Sequence, residues 1–317
     1  MKILITGVAG FIGSNLAETL IYEGHTIEGI DNFDPFYDEK IKNRNISSFE
    51  NAPGFKLHRI NLLEKQKISQ IIFEGNFDLV IHLAAKAGVR PSIADPEAYF
   101  KTNLEGTLNL LEAMKAANLK KLVFASSSSV YGNNEKVPFS ENDNVDFPIS
   151  PYAASKKAGE LLCHTYHHLF NFDIFCLRFF TVYGQRQRPD LAIHKFTKAL
   201  LNNEEIPFYG DGSSRRDYTH ISDIVQGIKL SVQKLKGFEI INLGESQTTS
   251  LSELLAYLEK FTGKKARLKQ LPFQPGDVQQ TFADISKAKK LLGYNPSVSM
   301  EQGLQNFVQW YKTTVCN

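Results

Sequence analysis

Ser126, Ser127, Ser128 and Ser129 form an unbroken row of hydroxyls in FASSSSVYG, where a short apolar run ends. Downstream, SPYAASKKAGE sets Tyr152 and Lys156 four residues apart at the start of a helical pattern. That spacing puts both side chains on one helical face. A phenol with an ordinary pKa of ~10 is a poor base at neutral pH, yet a neighbouring ammonium favours the phenolate. Such a pair can take a proton from an alcohol while the carbon-bound hydrogen leaves as hydride. Read alone, the pair is equally an ordinary helix-surface pair, and the serines are equally a polar loop.

A hydride needs an acceptor, and the first strand candidate ends in TGVAGFIGSN with Gly7, Gly10 and Gly13 three apart. A backbone turning sharply from strand into helix requires residues without Cβ, and so does a diphosphate docked on the helix N-terminus. Asp31 follows the second strand candidate, where a carboxylate binds both hydroxyls of an adenosine ribose. It repels a 2′-phosphate and Asn32 adds no positive charge, which favours NAD over NADP. A glycine-rich turn with an unrelated loop aspartate is the plainer alternative. Position after a strand and before a helix argues against it.

The elements that must hold these groups follow a regular order. KILIT, TIEGI, FKLHRI, DLVIHL, KLVFAS and DIFCLRFF read as strands, with amphipathic stretches at 11–22, 96–117 and 151–170 between several of them. Strand, crossover helix and strand in alternation imply an α/β fold, a doubly wound parallel sheet of Rossmann type. Beyond Phe180 the rhythm breaks into loops around IPFYGDGSSRRDY, a helical ISDIVQGIKLSVQKL, a further strand FEIINLG and helical patterns towards the C-terminus. The expected organisation is a nucleotide-binding domain of residues 1–180 plus about 219–245. A smaller α/β substrate domain then takes residues 181–218 and 246–317.

The 317 residues are 42% hydrophobic, enough for a large core in one or two interlocked domains. A formal charge of +2 without a basic run gives no electrostatic reason to expect nucleic acid or a membrane surface. Three scattered cysteines, Cys163, Cys176 and Cys316, read as reduced thiols. The opening MKILITG lacks a signal-peptide pattern, and the apolar runs are too short to span a bilayer. A cytoplasmic protein is expected. Cys163, His164, His167 and His168 share the Tyr152 helix, but helix packing and solvent exposure account for them, and no metal is assigned.

Together GVAGFIG, HLAA, SSSSVYG, YAASK, RFFTVYG, GDGSSRRDY and PGDV resemble the extended short-chain dehydrogenase/reductase family, specifically its nucleotide-sugar epimerases. The resemblance covers nearly the whole chain, in the family's order. AAKAGVR, RFFTVYG, RPDLAIHKFTKAL and QPGDVQQTFAD are most similar to the UDP-glucuronate 4-epimerases of that family. The resemblance implies tightly held NAD, recycled in each turnover, and a catalytic Ser127, Tyr152 and Lys156. It implies cofactor contacts from Phe11 and Ile12 in the glycine turn, Asn61 and Leu62 in RINLL, and Leu83, Ala84 and Ala85 in HLAA. Asn61 stands where the family usually has an aspartate facing adenine. Asn103 matches an asparagine that supports the active-site helix. A homodimer is implied, joined through the 96–117 and 151–170 helices.

The resemblance also gives the serines a reading. Related dehydratases and decarboxylases carry an acidic residue just after the catalytic hydroxyl, and here those positions hold Ser128 and Ser129. Without that carboxylate the second chemistry lacks its general acid/base. A carboxylate on the sugar is then bound by hydroxyls without like-charge repulsion. Thr181 and Arg188 are expected to complete that cradle, with Arg90 there or at the diphosphate. Arg216 is expected on the diphosphate, Asp277 on the uridine ribose, and Tyr209 (or Phe208) on the uracil; Gln274 fits the glucuronate group. The expected activity is 4-epimerisation of a UDP-sugar, UDP-glucuronate first, through a 4-keto intermediate. The alternatives are a UDP-glucose/UDP-galactose or UDP-N-acetylhexosamine 4-epimerase, and a non-catalytic NAD-binding protein. The last has no need of Tyr152, Lys156 and the hydroxyl together.

Overall fold

Six strands in the first 180 residues pair in parallel: β1 (Lys2–Thr6), β2 (Thr26–Ile30), β3 (Phe55–His58), β4 (Leu79–His82), β5 (Lys121–Ser127) and β6 (Asp173–Phe179). The computed structural model describes residues 1–272 and 278–316. Short strands follow, β7 (Thr181–Tyr183), β8 (Glu205–Tyr209), β9 (Arg215–Arg216) and β10 (Tyr218–His220). Then β11 (Phe238–Leu243) returns to the large sheet beside β6, and β12 (Thr249–Ser250) and β13 (Arg267–Leu271) pair with β9 and β8. The sheet runs β11-β6-β5-β4-β1-β2-β3. The chain therefore reverses direction across the sheet between β1 and β4. In open parallel sheets that switch point opens a crevice at the carboxyl ends of the strands.

The described residues also form the α-helices α1 (Phe11–Tyr22), α2 (Glu39–Ile46), α3 (Lys65–Gly75), α4 (Val89–Ala94), α5 (Pro96–Phe100), α6 (Gly106–Ala116), α7 (Pro151–Phe170), α8 (Ala192–Asn202), α9 (Ile221–Lys234), α10 (Leu251–Thr262), α11 (Ser286–Leu292) and α12 (Met300–Thr314). Both faces of the sheet are covered, which is why its strands read as unbroken apolar runs. Alternate residues feed the two sides. Ile3 and Ile5 join α1, α9 and α11 in one core, while Leu4 joins α3, α6 and α7 in the other. A third core gathers Phe196 of α8, Leu254 and Leu258 of α10, and Leu304 and Phe307 of α12. Ala283, Ile285, Ala288 and Leu292, late in the chain, pack into the first core and not the third.

Local chemistry sets the helix ends nearest the chemistry. Ser150 caps α7 by accepting from Ala153 N at 3.1 Å, Pro151 opens the first turn, and Asn171 ends it with φ 56°. Proline at the first turn loses no intrahelical bond, and asparagine tolerates the left-handed cap. The helix expected over 96–117 runs through 96–116 with one irregular turn inside it. Between α5 and α6, Lys101–Glu105 forms a π-helical turn. There the Asn103 side chain is drawn out of the helix: Nδ2 donates to Ser155 Oγ and to Lys86 O, both at 2.9 Å, and Oδ1 accepts from Lys86 N at 2.8 Å. Such one-turn bulges widen a helix to present a side chain.

Candidate active site

A cavity of about 560 Å³ opens over the switch point. Its floor begins at Gly7, where φ is +73° and N donates to Ile30 O at 2.7 Å. A Cβ on Gly7 would sit 2.8 Å from Ala84 N, and one on Gly13 2.2 Å from Gly7 O. The turn from β1 into α1 thus has no space for side chains at either position. Gly10 caps α1 without any side-chain bond, and Gly10, Phe11, Ile12 and Gly13 line the cavity. An uncapped helix N-terminus facing a cavity fits a diphosphate.

Asp31 lies buried just beyond β2. Its Oδ2 accepts from Ala9 N at 3.1 Å, while Oδ1 accepts from Phe33 N and Lys42 Nζ, both at 2.8 Å. A carboxylate has about four acceptor sites, so room remains for a ribose hydroxyl. Lys42, on α2, is a buried cation that reading Asp31 and Asn32 alone did not anticipate. It pairs with the carboxylate, so the Asp31 charge is partly compensated. Asn32, Asn61 and Leu62 also line the cavity, and Asn61 Oδ1 is engaged locally by Leu63 N at 3.0 Å.

Leu83, Ala84 and Ala85 form the wall after β4. Ala84 N donates to Thr6 Oγ1 at 3.1 Å, and that hydroxyl meets His82 Nδ1 at 2.6 Å. Burial and the nearby Lys156 charge push His82 down to about 3, so it stays neutral. Asn103 lies behind this wall, tying the Lys86 backbone to Ser155 on α7.

Tyr152, Lys156 and Ser127 line the same cavity, α7 supplying the first two and the end of β5 the third. The Ser127 hydroxyl donates to Ser129 Oγ at 3.1 Å. Burial pushes Tyr152 up, while Ser127 and the Arg188 charge pull it down. Lys156 does not turn towards the phenol: Nζ donates to Ala125 O at 2.7 Å, and burial lowers its pKa to about 8. Arg188 is a second cation that acts on Tyr152, one that the pairing of Tyr152 with Lys156 in the sequence does not show. Below Lys156, Glu160 accepts from Ser126 Oγ at 2.6 Å and from Arg178 Nε and Nη2 at 2.8 Å each.

The remaining serines face a second, adjoining cavity. Ser128, Ser129, Thr181 and Arg216 line it, with Ser150 and Thr281, and its described lining residues include no carboxylate. Ser127 accepts from Ser129 N at 3.1 Å, which fixes the turn between the two spaces. Thr181 lines both cavities, so it joins them, whereas Arg188 lines only the first. The Arg188 fork is held by Asp190, with Nε–Oδ1 at 2.9 Å and Nη2–Oδ2 at 2.7 Å; Nη2 also donates to Ala87 O at 3.1 Å.

Arg90 and Tyr209 line neither cavity; the Arg90 guanidinium lies over the Tyr209 ring, 5.3 Å from its centre. The ring face assigned to uracil therefore carries a guanidinium here. Phe208 is buried in the third core. Asp277 and Gln274 lie outside the described residues.

The profile of the GDP-mannose 4,6 dehydratase family matches residues 4–307. The chain belongs to that family, within the extended short-chain dehydrogenases/reductases. It is 45% identical to a UDP-glucuronate 4-epimerase of Thermodesulfobacterium geofontis, over 98% of this chain and 96% of that one. The solved UDP-glucuronic acid 4-epimerase from Bacillus cereus, in complex with UDP-glucuronic acid and NAD, superposes with a TM-score of 0.93 at 40% identity, covering 99% of each chain. A UDP-glucose 4-epimerase from Thermotoga maritima, solved with UDP-glucose, gives 0.92 at 32% identity over 99% of this chain and all of that one.

Within this dehydrogenase/reductase frame, three charged residues that sequence reading did not single out stand at the cavity. Lys42 pairs with Asp31, Lys86 Nζ reaches Asp34 at 3.2 Å beside it, and Asp190 holds Arg188. Lys86 and Asp190 are the two with a signal in the sequence, since they lie in the quoted AAKAGVR and RPDLAIHKFTKAL. Lys42 lies in no motif. Among the described residues, no group of three or more His, Cys, Asp or Glu is placed to hold a metal, and no helix is long and apolar enough to cross a membrane.

Proposed function

We propose that the protein is an NAD-dependent UDP-glucuronate 4-epimerase, interconverting UDP-glucuronate and UDP-galacturonate. The observation that carries this reading is the cavity wall around Tyr152. It presents Arg188 and Thr181, and continues into Ser128 and Ser129 where a carboxylate would serve a dehydratase. The glycine turn, the uncapped start of α1 and Asp31 fit a dinucleotide. The chemistry supplied by bound NAD is reversible hydride acceptance at the sugar C4.

The chain's own residues do the rest. Gly7, Gly10, Phe11, Ile12 and Gly13 hold the diphosphate of the cofactor, Asp31 and Asn32 its adenosine ribose, and Asn61 and Leu62 its adenine side. Leu83, Ala84 and Ala85 wall its other end. Ser127 orients the sugar 4-hydroxyl towards Tyr152, which takes the proton and later returns it on the opposite face. Lys156 keeps a positive charge at the base of that site, and Asn103 braces α7 through Ser155. Arg216 takes the UDP diphosphate, with Arg90 and Tyr209 at the nucleoside end and Asp277 on its ribose.

Between the two proton transfers the 4-keto sugar must turn over. A 4-keto glucuronate is a β-keto acid, which loses carbon dioxide when the breaking C–C bond lines up with the carbonyl π system. Ser128, Ser129, Thr181 and Arg188 hold the carboxylate out of that alignment.

The chain divides between cofactor (1–180 with about 219–245) and sugar (181–218 with 246–317), α11 leaning on the cofactor side. Exposed Phe100, Leu108, Leu161 and Leu169 on the 96–117 and 151–170 segments support a homodimer through those helices. Free Cys163, Cys176 and Cys316 support a reducing, cytoplasmic setting. The deciding experiment incubates the protein separately with UDP-glucuronate, UDP-glucose and UDP-N-acetylglucosamine and identifies the products. UDP-galacturonate as the dominant product supports the reading; efficient turnover of a neutral or N-acetylated sugar in its place overturns it.

A further inference from the structure

Arg188 is a cation on the wall that carries Tyr152, and a carboxylate of this chain already occupies it. Asp190 meets the guanidinium edge-on through two parallel bonds of 2.9 and 2.7 Å. Bidentate pairing of this kind is the geometry in which arginine grips any carboxylate, including one on a sugar. The Arg188 side chain is 16% exposed and Asp190 30%. Phe36 covers the guanidinium from the side, 5.1 Å from its ring centre. Arg188 lines the cavity with Tyr152, whereas Asp190 does not, so the aspartate approaches the fork from behind the wall.

The turn that carries the pair is well defined. Leu191 N donates to Arg188 O at 3.3 Å across Pro189, and Leu191 is the N-cap of α8. Asp190 thus stands just ahead of an eleven-residue helix, where the helix dipole favours an anion. Its two bonds to Arg188 hold it in place.

The proposed chemistry makes a contradictory demand on Arg188. The sugar carboxylate must be held while C4 is a ketone, yet the sugar must rotate to show its other face. A guanidinium with the substrate as its one partner would be left unpaired at each rotation. Removing one partner of a largely buried pair is strongly unfavourable. A second carboxylate on the same fork turns release into an exchange. We propose that Asp190 is a positioning residue that takes back the Arg188 guanidinium whenever the sugar carboxylate lets go, so that the 4-keto uronate can rotate. The proposal rests on the reading of the protein as a UDP-glucuronate 4-epimerase.

Two consequences separate this role from a merely structural clasp. Asp190 competes with the substrate, so its neutralisation should tighten uronate binding. It also eases rotation, so the same change should slow turnover after the first oxidation. The holoenzyme with Asp190→Asn is compared with wild type on UDP-glucuronate. Expected is a fall of about tenfold in both kcat and KM, with reduced nicotinamide accumulating during steady state. In a Tyr152→Phe background that stops turnover, calorimetry should show UDP-galacturonate binding about tenfold tighter with Asp190→Asn, and UDP itself unchanged. Asp190→Glu, which keeps a carboxylate, should recover part of the lost kcat, and bound NAD and thermal midpoint report whether each variant is folded. A kcat loss with KM and uronate affinity unchanged or worse overturns the proposal, as does Asp190→Asn behaving like wild type. A wild type inert on UDP-glucuronate overturns the functional reading, and the proposal with it.

Discussion

Lys156 Nζ donates to the carbonyl of Ala125, two residues before Ser127 on β5, at 2.7 Å. The ammonium is thereby tied to the strand that presents the catalytic hydroxyl, and not to the phenol four residues away on its own helix. Its pKa is lowered to about 8 by burial, while burial raises that of Tyr152. The productive species keeps the Lys156 ammonium and has lost one proton, from the phenol.

A pH profile follows from that order. Below the lower of the two values both groups are protonated, and kcat/KM should rise about tenfold per pH unit as one proton is lost. Above it, the one-proton state is filled and the rate levels off. The break should therefore fall at or below about pH 8, since any further cation in the cavity stabilises the phenolate. Lys156→Ala should move the break up into the tyrosine range. A break that stays in place in Lys156→Ala shows that another group sets it.

Tyr152→Phe removes the proton carrier and little else. The ring is retained, as is its edge-to-face contact with Tyr99 at 6.2 Å. Turnover should fall by ~10²–10⁴-fold, the usual loss of a general base, while binding of UDP-sugar stays near normal. Near-normal turnover in a folded variant would assign the base elsewhere.

The cofactor prediction rests on Asp31. Denaturing the purified protein and assaying the supernatant should release NAD(H) and not NADP(H). Lys42 weakens the electrostatic half of that argument, because it offsets the carboxylate charge at 2.8 Å. What remains is hydrogen bonding: Asp31 can accept from a ribose hydroxyl but offers a 2′-phosphate no donor. Recovery of NADP would mean that Lys42 leaves Asp31 for the phosphate.

Beneath the catalytic pair, Glu160 and Arg178 form an ion pair with both side chains 1% exposed. Glu160 also accepts from Ser126, the neighbour of Ser127, so it ties α7 to β5 as well as to Arg178 on β6. Glu160→Ala leaves Arg178 charged and buried without its partner. Loss of one member of such a pair costs about 3–5 kcal/mol, which urea unfolding should show as a lower midpoint. An unchanged midpoint would mean that water reaches Arg178.

How far the sequence disclosed this structure depended on how local each cause was. The inner strands of the large sheet and α7 were the most legible, because burial on both faces makes near-continuous apolar runs and Ser150, Pro151 and Asn171 mark the ends of the helix, whereas the edge strands β3 and β11 are less buried. Short strands such as β7 and β10 have too few residues for any periodicity and exist because they pair with each other. The π-helical turn within 96–117 was hidden because the partners that Asn103 reaches from it, Lys86 and Ser155, are remote in sequence. Tyr152, Lys156 and Ser127 were readable from spacing and motif, but the direction of the Lys156 ammonium was not. Nor was Lys42, since only the fold brings α2 against the end of β2.

The last prediction concerns the proposed carboxylate cradle, whose residues line two cavities with Thr181 on the wall of both. If Arg188 and Thr181 hold the sugar carboxylate, removing either should damage UDP-glucuronate turnover far more than any weak activity on UDP-glucose. A charge-assisted hydrogen bond contributes ~1.5–3 kcal/mol, so discrimination should weaken by roughly ten- to a hundred-fold. Arg188→Ala carries a second consequence, because Arg188 also lowers the pKa of Tyr152. Its loss should therefore depress activity on both sugars at neutral pH, and Thr181→Ala should not share that common loss. A looser carboxylate also swings into line with the C4 carbonyl more often, so both variants should release a UDP-pentose by-product in excess of wild type. Epimer and pentose yields on the two substrates separate the cases. Equal losses on acidic and neutral sugars in Thr181→Ala, without extra pentose, would remove Thr181 from the cradle. The same pattern in Arg188→Ala would leave that residue only its effect on Tyr152, and the neutral-sugar epimerase would become the better account of this site.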